Sequence, residues 1–301
     1  MISVIIPTLN GACYLRELVD SLCRQTMKDV EVIVVDSESD DGTAEVAASL
    51  GCIVQRIARG EFDHGGTRNL AVDMSSGNIL VFLTQDAVPV SEEFLARLIA
   101  PIDGRITAAA YARQIPAPKA TPTEVFARLY NYPPESSMRH ISRVEHRTLK
   151  TLFFSNTASA ISRDCFEKVG RFCSPVPTNE DMLLCARLMD AGYQIAYVAE
   201  AEVIHSHEFS LAEVFRRYFR IGMVVREHRA TLRVERNAGE GLEFVRRQIA
   251  HLRRIGRSEL IPGAVAEAGV KALAFYCGHT WRSRYRTSDT QRATAGSAQV
   301  T

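Results

Sequence analysis

The first ninety residues alternate between short β-branched runs and stretches with helical spacing, and this alternation limits the folds open to the chain. Four runs have the character of buried strands: SVIIPT, VEVIVVDS, CIVQRI and NILVFLTQD. Between the first two, Leu15, Leu18, Val19 and Leu22 recur at helical spacing. A repeated strand–helix order favours an α/β fold with a parallel sheet covered by helices on both faces.

The rest of the chain is less regular. Residues 114–150 hold five of the eleven prolines and little periodicity, which indicates a long, partly helical excursion. TNEDMLLCARLMDAGYQ predicts a helix, and IAYVAEAEVIHSH predicts a strand that ends in histidines. From residue 210 onward the pattern is helical. We therefore expect a main domain over residues 1–209, a helical region over 210–285 and a disordered tail over 286–301.

Composition excludes several classes of protein. The formal net charge of the 301 residues is +1, so no overall field attracts nucleic acid. The seven cysteines form no C-x-x-C pair, which argues against a disulfide framework or a zinc ribbon and fits a reducing cytosol. MISVIIPTLN lacks the basic start of a signal peptide. Glu267 and Lys271 interrupt the most apolar late stretch, so we expect no membrane span.

One segment departs from this neutral balance. Residues 213–257 contain twelve arginines and five glutamates, a net of +7, so the rest of the chain carries −6 of the total +1. One interpretation is a solvated helical face. The other is a surface that meets anionic lipid headgroups or an anionic acceptor at the inner face of the cell membrane.

The predicted strands end on polar residues that could bind a ligand. Thr8 and Asn10 follow the first strand, Asp36 ends the second, Asp86 ends the fourth, and His205 ends the last. In an open parallel sheet, ligands bind at the carboxyl ends of the strands. Four strands that deliver polar groups to one edge therefore predict a binding site there.

Six motifs occur in the order found in family 2 glycosyltransferases of GT-A fold, which residues 1–225 resemble. They are VIIPTLN, VIVVDSESDDGT, GGTRNLA, LTQDA, NEDMLLCARLMDAG and VIHSH. FDHGGTRNLA and VFLTQDAVP especially resemble bacterial rhamnosyltransferases. The resemblance implies a mostly parallel GT-A sheet flanked by helices, with a C-terminal helical extension. It also implies inverting transfer of rhamnose or another hexose from a dTDP- or UDP-sugar. The acceptor would be a hydroxyl of a glycan or lipid-linked saccharide in cell-envelope polysaccharide synthesis.

The resemblance carries donor-binding roles to eight positions: Pro7, Thr8, Asn10, Asp36, Gly65, Arg68, Gln85 and Asp86. A carboxylate such as Asp36 can accept hydrogen bonds from a base imide or from ribose hydroxyls, although it could instead cap the helix that begins near Gly42. Gly65 allows a ligand to approach the backbone closely. Arg68 could hold a phosphate or an acidic partner, the alternative being a surface arginine paired with a neighbouring aspartate.

The metal site implied by the family is incomplete in this sequence. Family members usually carry Asp-x-Asp where this chain has Thr84-Gln85-Asp86, so the first acid is missing. Mg²⁺ or Mn²⁺ can be held by one or two carboxylates with phosphates and water. Related enzymes have a metal-binding histidine after the later strand, which makes His205 the second predicted ligand and His207 the reserve choice.

The catalytic base is expected at the start of the later helix. Glu180 and Asp181 match the family's Glu-Asp pair, whose aspartate removes the proton of the acceptor hydroxyl, and Glu180 is the alternative base. A carboxylate here could also simply cap the helix, as could Asn179.

Two other functions remain open from the sequence. The missing first acid leaves room for a non-catalytic protein that binds nucleotide sugars or acts as a scaffold. A sugar nucleotidyltransferase is disfavoured, because PTLNGACYL lacks the Gly-rich, Arg-containing phosphate loop expected after the first strand. Neither the acceptor nor the oligomeric state can be inferred from these residues.

Overall fold

A nine-stranded mixed sheet forms the centre of the part of the chain that the computed structural model describes, residues 1–235 and 239–281. The predicted tail 286–301 lies outside the described residues, as does the end of the helical region predicted over 210–285. The strands of the described part are β1 (Ile2–Thr8), β2 (Val30–Asp36), β3 (Ile53–Arg56), β4 (Ile79–Leu83), β5 (Val88–Pro89), β6 (Thr107–Ile115), β7 (Ser137–Arg139), β8 (Ala158–Ser162) and β9 (Gln194–Ile204).

Helices cover both faces of this sheet and form the C-terminal part of the described chain. They are α1 (Ala12–Cys23), α2 (Thr43–Ser49), α3 (His64–Asp73), α4 (Phe94–Ile99), α5 (Pro122–Asn131), α6 (Arg163–Lys168), α7 (Glu180–Asp190), α8 (Leu211–Glu227), α9 (Arg229–Leu232), α10 (Gly239–Arg254) and α11 (Ile261–Thr280). Residues 114–150, predicted to be a partly helical excursion, contain the end of β6 with α5 and β7.

The strand order is β3-β2-β1-β4-β8-β6-β9-β5, with β7 paired to β9. The first four strands pair in parallel as predicted, and β6 also runs parallel to β9. β8 runs antiparallel between β4 and β6, so its first residue, Ala158, lies opposite Leu83 at the end of β4. The carboxyl ends of β1, β2, β4, β6 and β9 therefore lie on the same edge as the start of β8. We call this the carboxyl edge.

Two apolar cores lie on opposite faces of the sheet. Val4 and Ile6 of β1 pack in one core with α1 and α4, whereas Ile5 packs in the other, which includes much of α7. This division follows from the two-residue period of a strand, which sends successive side chains to opposite faces. The predicted layered α/β architecture is confirmed.

The run GGTRNLAVDMSSG predicts a helix with Thr67 as its cap. This predicted start is wrong, because α3 begins at His64 and the Asp63 side chain accepts from the Gly66 N–H at 2.6 Å. Thr67 is buried inside the first turns of the helix. An aspartate one residue before the helix satisfies an otherwise unpaired N–H more directly than a residue within it.

The C-terminal helices form a closely packed group. A Cβ atom on Gly278 of α11 would lie 1.9 Å from the Phe219 carbonyl oxygen of α8, and one on Gly222 would lie 2.3 Å from that of Phe275. Only glycine allows backbones to approach so closely. Contrary to the expectation from sequence, the segment Ser258–Thr280 is long and apolar enough to cross a membrane by length and composition alone, and 11% of its most apolar window is buried.

Candidate active site

Asp86, His205 and His207 meet at the carboxyl edge. The short strand β5 places them together, because Val88, just after Asp86, pairs with Ile204, just before His205. The Nε2 atom of His205 lies 3.6 Å from Asp86 Oδ1, and that of His207 lies 3.1 Å from Asp86 Oδ2. His207, the less favoured of the two predicted histidine ligands, is thus at least as close to the carboxylate as His205.

Burial and the neighbouring charges set the protonation of this trio. Burial lowers the pKa of His205 to about 3, against the opposing effect of Asp86, so the imidazole is neutral near pH 7. Burial alone would raise the pKa of Asp86. The hydrogen bond from His207 opposes that effect, and the pKa of Asp86 falls well below its usual range.

Gln114, at the end of β6, orients the buried imidazole. Its Oε1 atom lies 3.0 Å from His205 Nδ1 and also accepts from Arg128. Because an amide oxygen can only accept, Nδ1 of His205 carries the proton and the lone pair of Nε2 points toward Asp86. A lone pair that faces a carboxylate oxygen is repulsive unless a cation lies between them.

The three side chains fit a divalent cation. Their ligand atoms all lie within 4.8 Å of one another. Mg²⁺ prefers oxygen ligands, whereas two imidazoles and one carboxylate suit a softer ion such as Mn²⁺ better. The His207 side chain is 41% exposed, which leaves a solvent-facing side for phosphate or water ligands.

The loop after β1 is held by side chains from two other segments, residues 39–43 and Gln85. The backbone N–H groups of residues 9 to 12 donate in turn to Gln85, Ser39, Thr43 and Asp41. Gln85 contacts both peptide groups of Leu9, since its Oε1 accepts from the Leu9 N–H at 2.9 Å and its Nε2 donates to the Leu9 carbonyl at 3.1 Å. A carboxylate could not donate the second bond, so Gln85 has a structural role in this loop.

The residues predicted to bind the base and ribose cluster around this loop. Asp36 is 1% exposed and accepts hydrogen bonds from the Ser39 N–H, the Ser39 hydroxyl and the Thr8 hydroxyl. Asn10 has a positive φ of 50° and accepts from the Asp40 N–H. Pro7 is the penultimate residue of β1. The structure therefore brings Pro7, Thr8, Asn10 and Asp36 together with Gln85.

Gly65 and Arg68 are instead occupied by contacts within the protein. A Cβ atom on Gly65 would lie 2.1 Å from the Cys173 carbonyl oxygen, so the close approach that glycine permits here is to backbone. Arg68 is 4% exposed and donates to the His64 carbonyl and to Glu180, with Nη1 3.0 Å from Glu180 Oε1. Arg68 has the acidic partner that the sequence allowed, and that partner is Glu180 across the fold.

The two residues of the Glu-Asp pair at the start of α7 have different surroundings. Glu180 is 4% exposed, and its Oε1 accepts from both Arg68 and the Asn156 side chain. Asp181 accepts from the backbone N–H groups of Asn156 and Met182. Burial, reinforced by the nearby Glu180 charge, raises the pKa of Asp181 to about 7. Such a carboxyl group can gain or lose a proton near neutral pH.

Residues 155 and 156, just before β8, connect the two halves of the edge. The Ser155 hydroxyl accepts from the Gln114 side chain, which holds His205, while Asn156 contacts both Glu180 and Asp181. Sequence reasoning missed Gln114, Ser155 and Asn156. The signal for the latter two was the polar triplet SNT between the apolar runs TLFF and ASAI.

The chain is similar to known glycosyltransferases over much of its length. Residues 3–170 match the family model for glycosyl transferase family 2. The chain is 35% identical to the O-antigen chain rhamnosyltransferase RfbN of Salmonella typhimurium, with 94% of this chain and 90% of that protein covered. It is 33% identical to the O-antigen chain rhamnosyltransferase WbaN of Salmonella anatum, with 93% and 90% covered.

Solved structures resemble the fold at lower identity. The mannosyltransferase PcManGT of Pyrobaculum calidifontis, in complex with GDP-Man and Mn²⁺, aligns with a TM-score of 0.59 and 19% identity over 91% of this chain and 75% of that one. TarS of S. aureus, in complex with UDP-GlcNAc, aligns with a TM-score of 0.55 and 16% identity over 92% and 90%. These likenesses confirm the predicted GT-A fold. By its family model and its full-length relatives, the chain belongs to glycosyltransferase family 2.

Proposed function

We propose that this glycosyltransferase moves rhamnose, or a closely similar hexose, from a dTDP- or UDP-sugar to a hydroxyl of a lipid-linked glycan during synthesis of a cell-envelope polysaccharide. The O-antigen rhamnosyltransferases that align over nearly the whole chain support the sugar and the pathway class. The observation that carries the mechanism is the linkage of the Asp86–His205–His207 cluster to Asp181 through Gln114 and residues 155 and 156.

In this proposal, the edge beside β1 and β2 binds the nucleoside. The loop 9–12 is held in one conformation by its four side-chain acceptors, so little ordering remains when the nucleotide binds. Asp36 and Thr8 border the base and ribose. Asp86, His205 and His207 hold Mn²⁺ or Mg²⁺, which supplies charge neutralisation for the donor diphosphate.

Asp181 is the proposed base. As the acceptor oxygen forms its bond to the anomeric carbon, its proton passes to the Asp181 carboxylate. The bond from that carbon to the diphosphate breaks on the opposite face, and the nucleoside diphosphate leaves with the electron pair. The product is therefore inverted at the anomeric carbon. A base with a pKa near the working pH is well matched to this transfer.

Glu180, the alternative base from the sequence, is proposed to position Asp181. Its carboxylate is already held by Arg68 and Asn156, and it is nearly inaccessible to an acceptor. Its negative charge helps to keep the pKa of Asp181 high. Arg68 balances the buried charge of Glu180, so its proposed contribution to donor binding is indirect.

The helical region is proposed to keep the enzyme at the inner face of the membrane, where a lipid-linked acceptor would be reached. Exposed arginines of residues 213–257, such as Arg216, Arg220 and Arg253, would be attracted to anionic lipids. The main domain over residues 1–209 would hold the donor and the reacting groups.

The test is a transfer assay with purified protein, a panel of dTDP- and UDP-sugars, and lipid-linked acceptors, with and without Mn²⁺. We expect turnover with a dTDP- or UDP-sugar and an inverted anomeric configuration in the product by NMR. Tight donor binding without transfer to any acceptor would favour the non-catalytic alternative. A retained configuration would contradict the role given to Asp181.

A further inference from the structure

The helix α11 turns its charged residues inward and its apolar residues outward. Its exposed positions recur every three or four residues and include no charged side chain: Pro262, Gly263, Val265, Ala266, Gly269, Ala272, Leu273, Tyr276 and Thr280. Leu273 and Tyr276 are 57% and 67% exposed. A helix at a water-facing surface normally shows the opposite arrangement. We call these nine residues the outer face of α11.

The inner side of α11 is fixed to the rest of the protein. Lys271 pairs with Glu267 at 2.6 Å and lies over the rings of Tyr218 and Phe244, which belong to α8 and α10. The close backbone contacts at Gly222 and Gly278 hold the helix along α8. Crossing a bilayer would break these contacts and expose Glu267 and Lys271 to lipid. The packing therefore favours a helix that lies on a membrane surface.

The helical region that carries the outer face is basic. Among the described residues of 210–281, ten arginines are exposed, as against four exposed glutamates. Arg226 donates to the carbonyls of His279 and Trp281 at the end of α11. Trp281 is 58% exposed. Tyrosine and tryptophan beside a basic, apolar helix face are typical of segments that lie at the headgroup level of a membrane.

We propose that the outer face of α11 inserts into the headgroup region of a bilayer that contains anionic phospholipids, with exposed arginines of the helical region at its surface. This goes beyond the proposed sugar transfer and does not rest on it. Arginines alone would give binding that salt abolishes, because exposed charges are screened within about 8 Å at physiological ionic strength. Apolar insertion adds a component that persists at high salt.

Trp281 is the only tryptophan of the chain, so its fluorescence reports directly on this surface. The experiment mixes the full-length protein with vesicles of phosphatidylcholine, with or without phosphatidylglycerol, at low and at high salt. We expect the emission to move to shorter wavelength with phosphatidylglycerol vesicles and brominated acyl chains to quench it. Once the protein is bound, part of the change should survive high salt. Unchanged emission, or binding fully reversed by salt, would overturn the insertion.

A matched pair of variants separates insertion from general effects of a new charge. Leu273→Glu places a carboxylate on the outer face, and Ile106→Glu does so at a site of equal exposure, 58%, on the sheet domain. We expect roughly tenfold weaker vesicle binding for the first and unchanged binding for the second, with the same donor affinity in both. Equal vesicle binding would refute the proposal. The proposal would also be refuted if the wild type formed a concentration-dependent dimer that shields Trp281 in the absence of vesicles, and if this dimer were lost only in Leu273→Glu.

Discussion

Asp86 and Asp181 are both aspartates at the carboxyl edge, yet their surroundings change the carboxyl pKa in opposite directions. Asp86 accepts a hydrogen bond from His207, which lowers its pKa and keeps it ionised. Asp181 is half-buried beside Glu180, and its pKa rises to about 7. Environments that separate the pKa values of two carboxyl groups can give them different chemical roles. One aspartate is suited to hold a cation, and the other to accept a proton.

The neighbours that cause this difference come from distant parts of the chain. His205 and His207 reach Asp86 because β5 pairs with β9, and Asn156 reaches Asp181 because β8 starts at the same edge. The two residues are both aspartates, so the neighbours that the sheet topology brings to each one determine its chemistry.

The largest effect is expected at the cation-binding carboxylate. Asp86→Asn keeps the shape of the side chain but removes its charge, so we expect loss of Mn²⁺ binding and a fall in transfer of roughly 10³-fold or more. Calorimetric titration with Mn²⁺ and nucleotide, alongside single-turnover transfer, checks both. Normal Mn²⁺ affinity in this variant would show that Asp86 does not bind the cation and would contradict the different roles given to Asp86 and Asp181.

A smaller effect is expected from the group that orients His205. Gln114→Leu removes the acceptor of the His205 Nδ1 proton, so Mn²⁺ affinity should fall by roughly 10- to 100-fold. Gln114→Glu retains an acceptor for His205 and Arg128 and should keep most of that affinity. If both variants bind Mn²⁺ equally well, Gln114 has no orienting role. Melting curves control for the loss of packing at this buried position.

The smallest effect is expected where Glu180 adjusts Asp181. An acid with a raised pKa is active as a base only above that pKa, so kcat/KM should fall tenfold per pH unit below about pH 7. Glu180→Gln removes a like charge and leaves the Arg68 charge nearby, so the acid limb should move to lower pH. The measurement is the pH profile of kcat/KM at a temperature where the variant is folded. If the acid limb lies at the same pH in both proteins, Glu180 does not raise the pKa of Asp181.

Much of the fold and part of the site could be predicted from the sequence. The strand ends at Thr8, Asp36, Asp86 and His205 were predicted to share one edge. Strand periodicity is a local signal, and the repeated strand–helix order predicts a parallel sheet. The structure does bring them to that edge. The pairing of Asp86 with His205 was predicted from the family resemblance, and the antiparallel contact of β5 with β9 brings the two side chains together.

The remainder depends on packing between distant segments. Arg68 was expected to hold a phosphate or an acidic partner. Its partner, Glu180, lies on another helix, and no local pattern relates the two residues. Gly65 contacts a backbone carbonyl from a loop whose path the sequence does not indicate. Glu267 and Lys271 interrupted an apolar stretch in the sequence. Lys271 lies over rings of α8 and α10 and pairs with Glu267, so the outer face is left uncharged.

The most direct test of the two roles is Asp181→Asn, measured for Mn²⁺ binding, donor binding and single-turnover transfer in one preparation. We expect both binding constants to match the wild type and transfer to fall by roughly 10²–10⁴-fold, because only proton removal is lost. The raised pKa of Asp181 favours the protonated form in the folded protein, so its contribution to stability declines as pH rises through about 7. At pH 8 the neutral side chain of the variant avoids this loss, but its single oxygen can accept from only one of the two N–H groups, so we expect a melting temperature close to that of the wild type. Wild-type transfer by a folded Asp181→Asn protein, or loss of Mn²⁺ binding in it, would contradict the assignment of separate roles to Asp86 and Asp181.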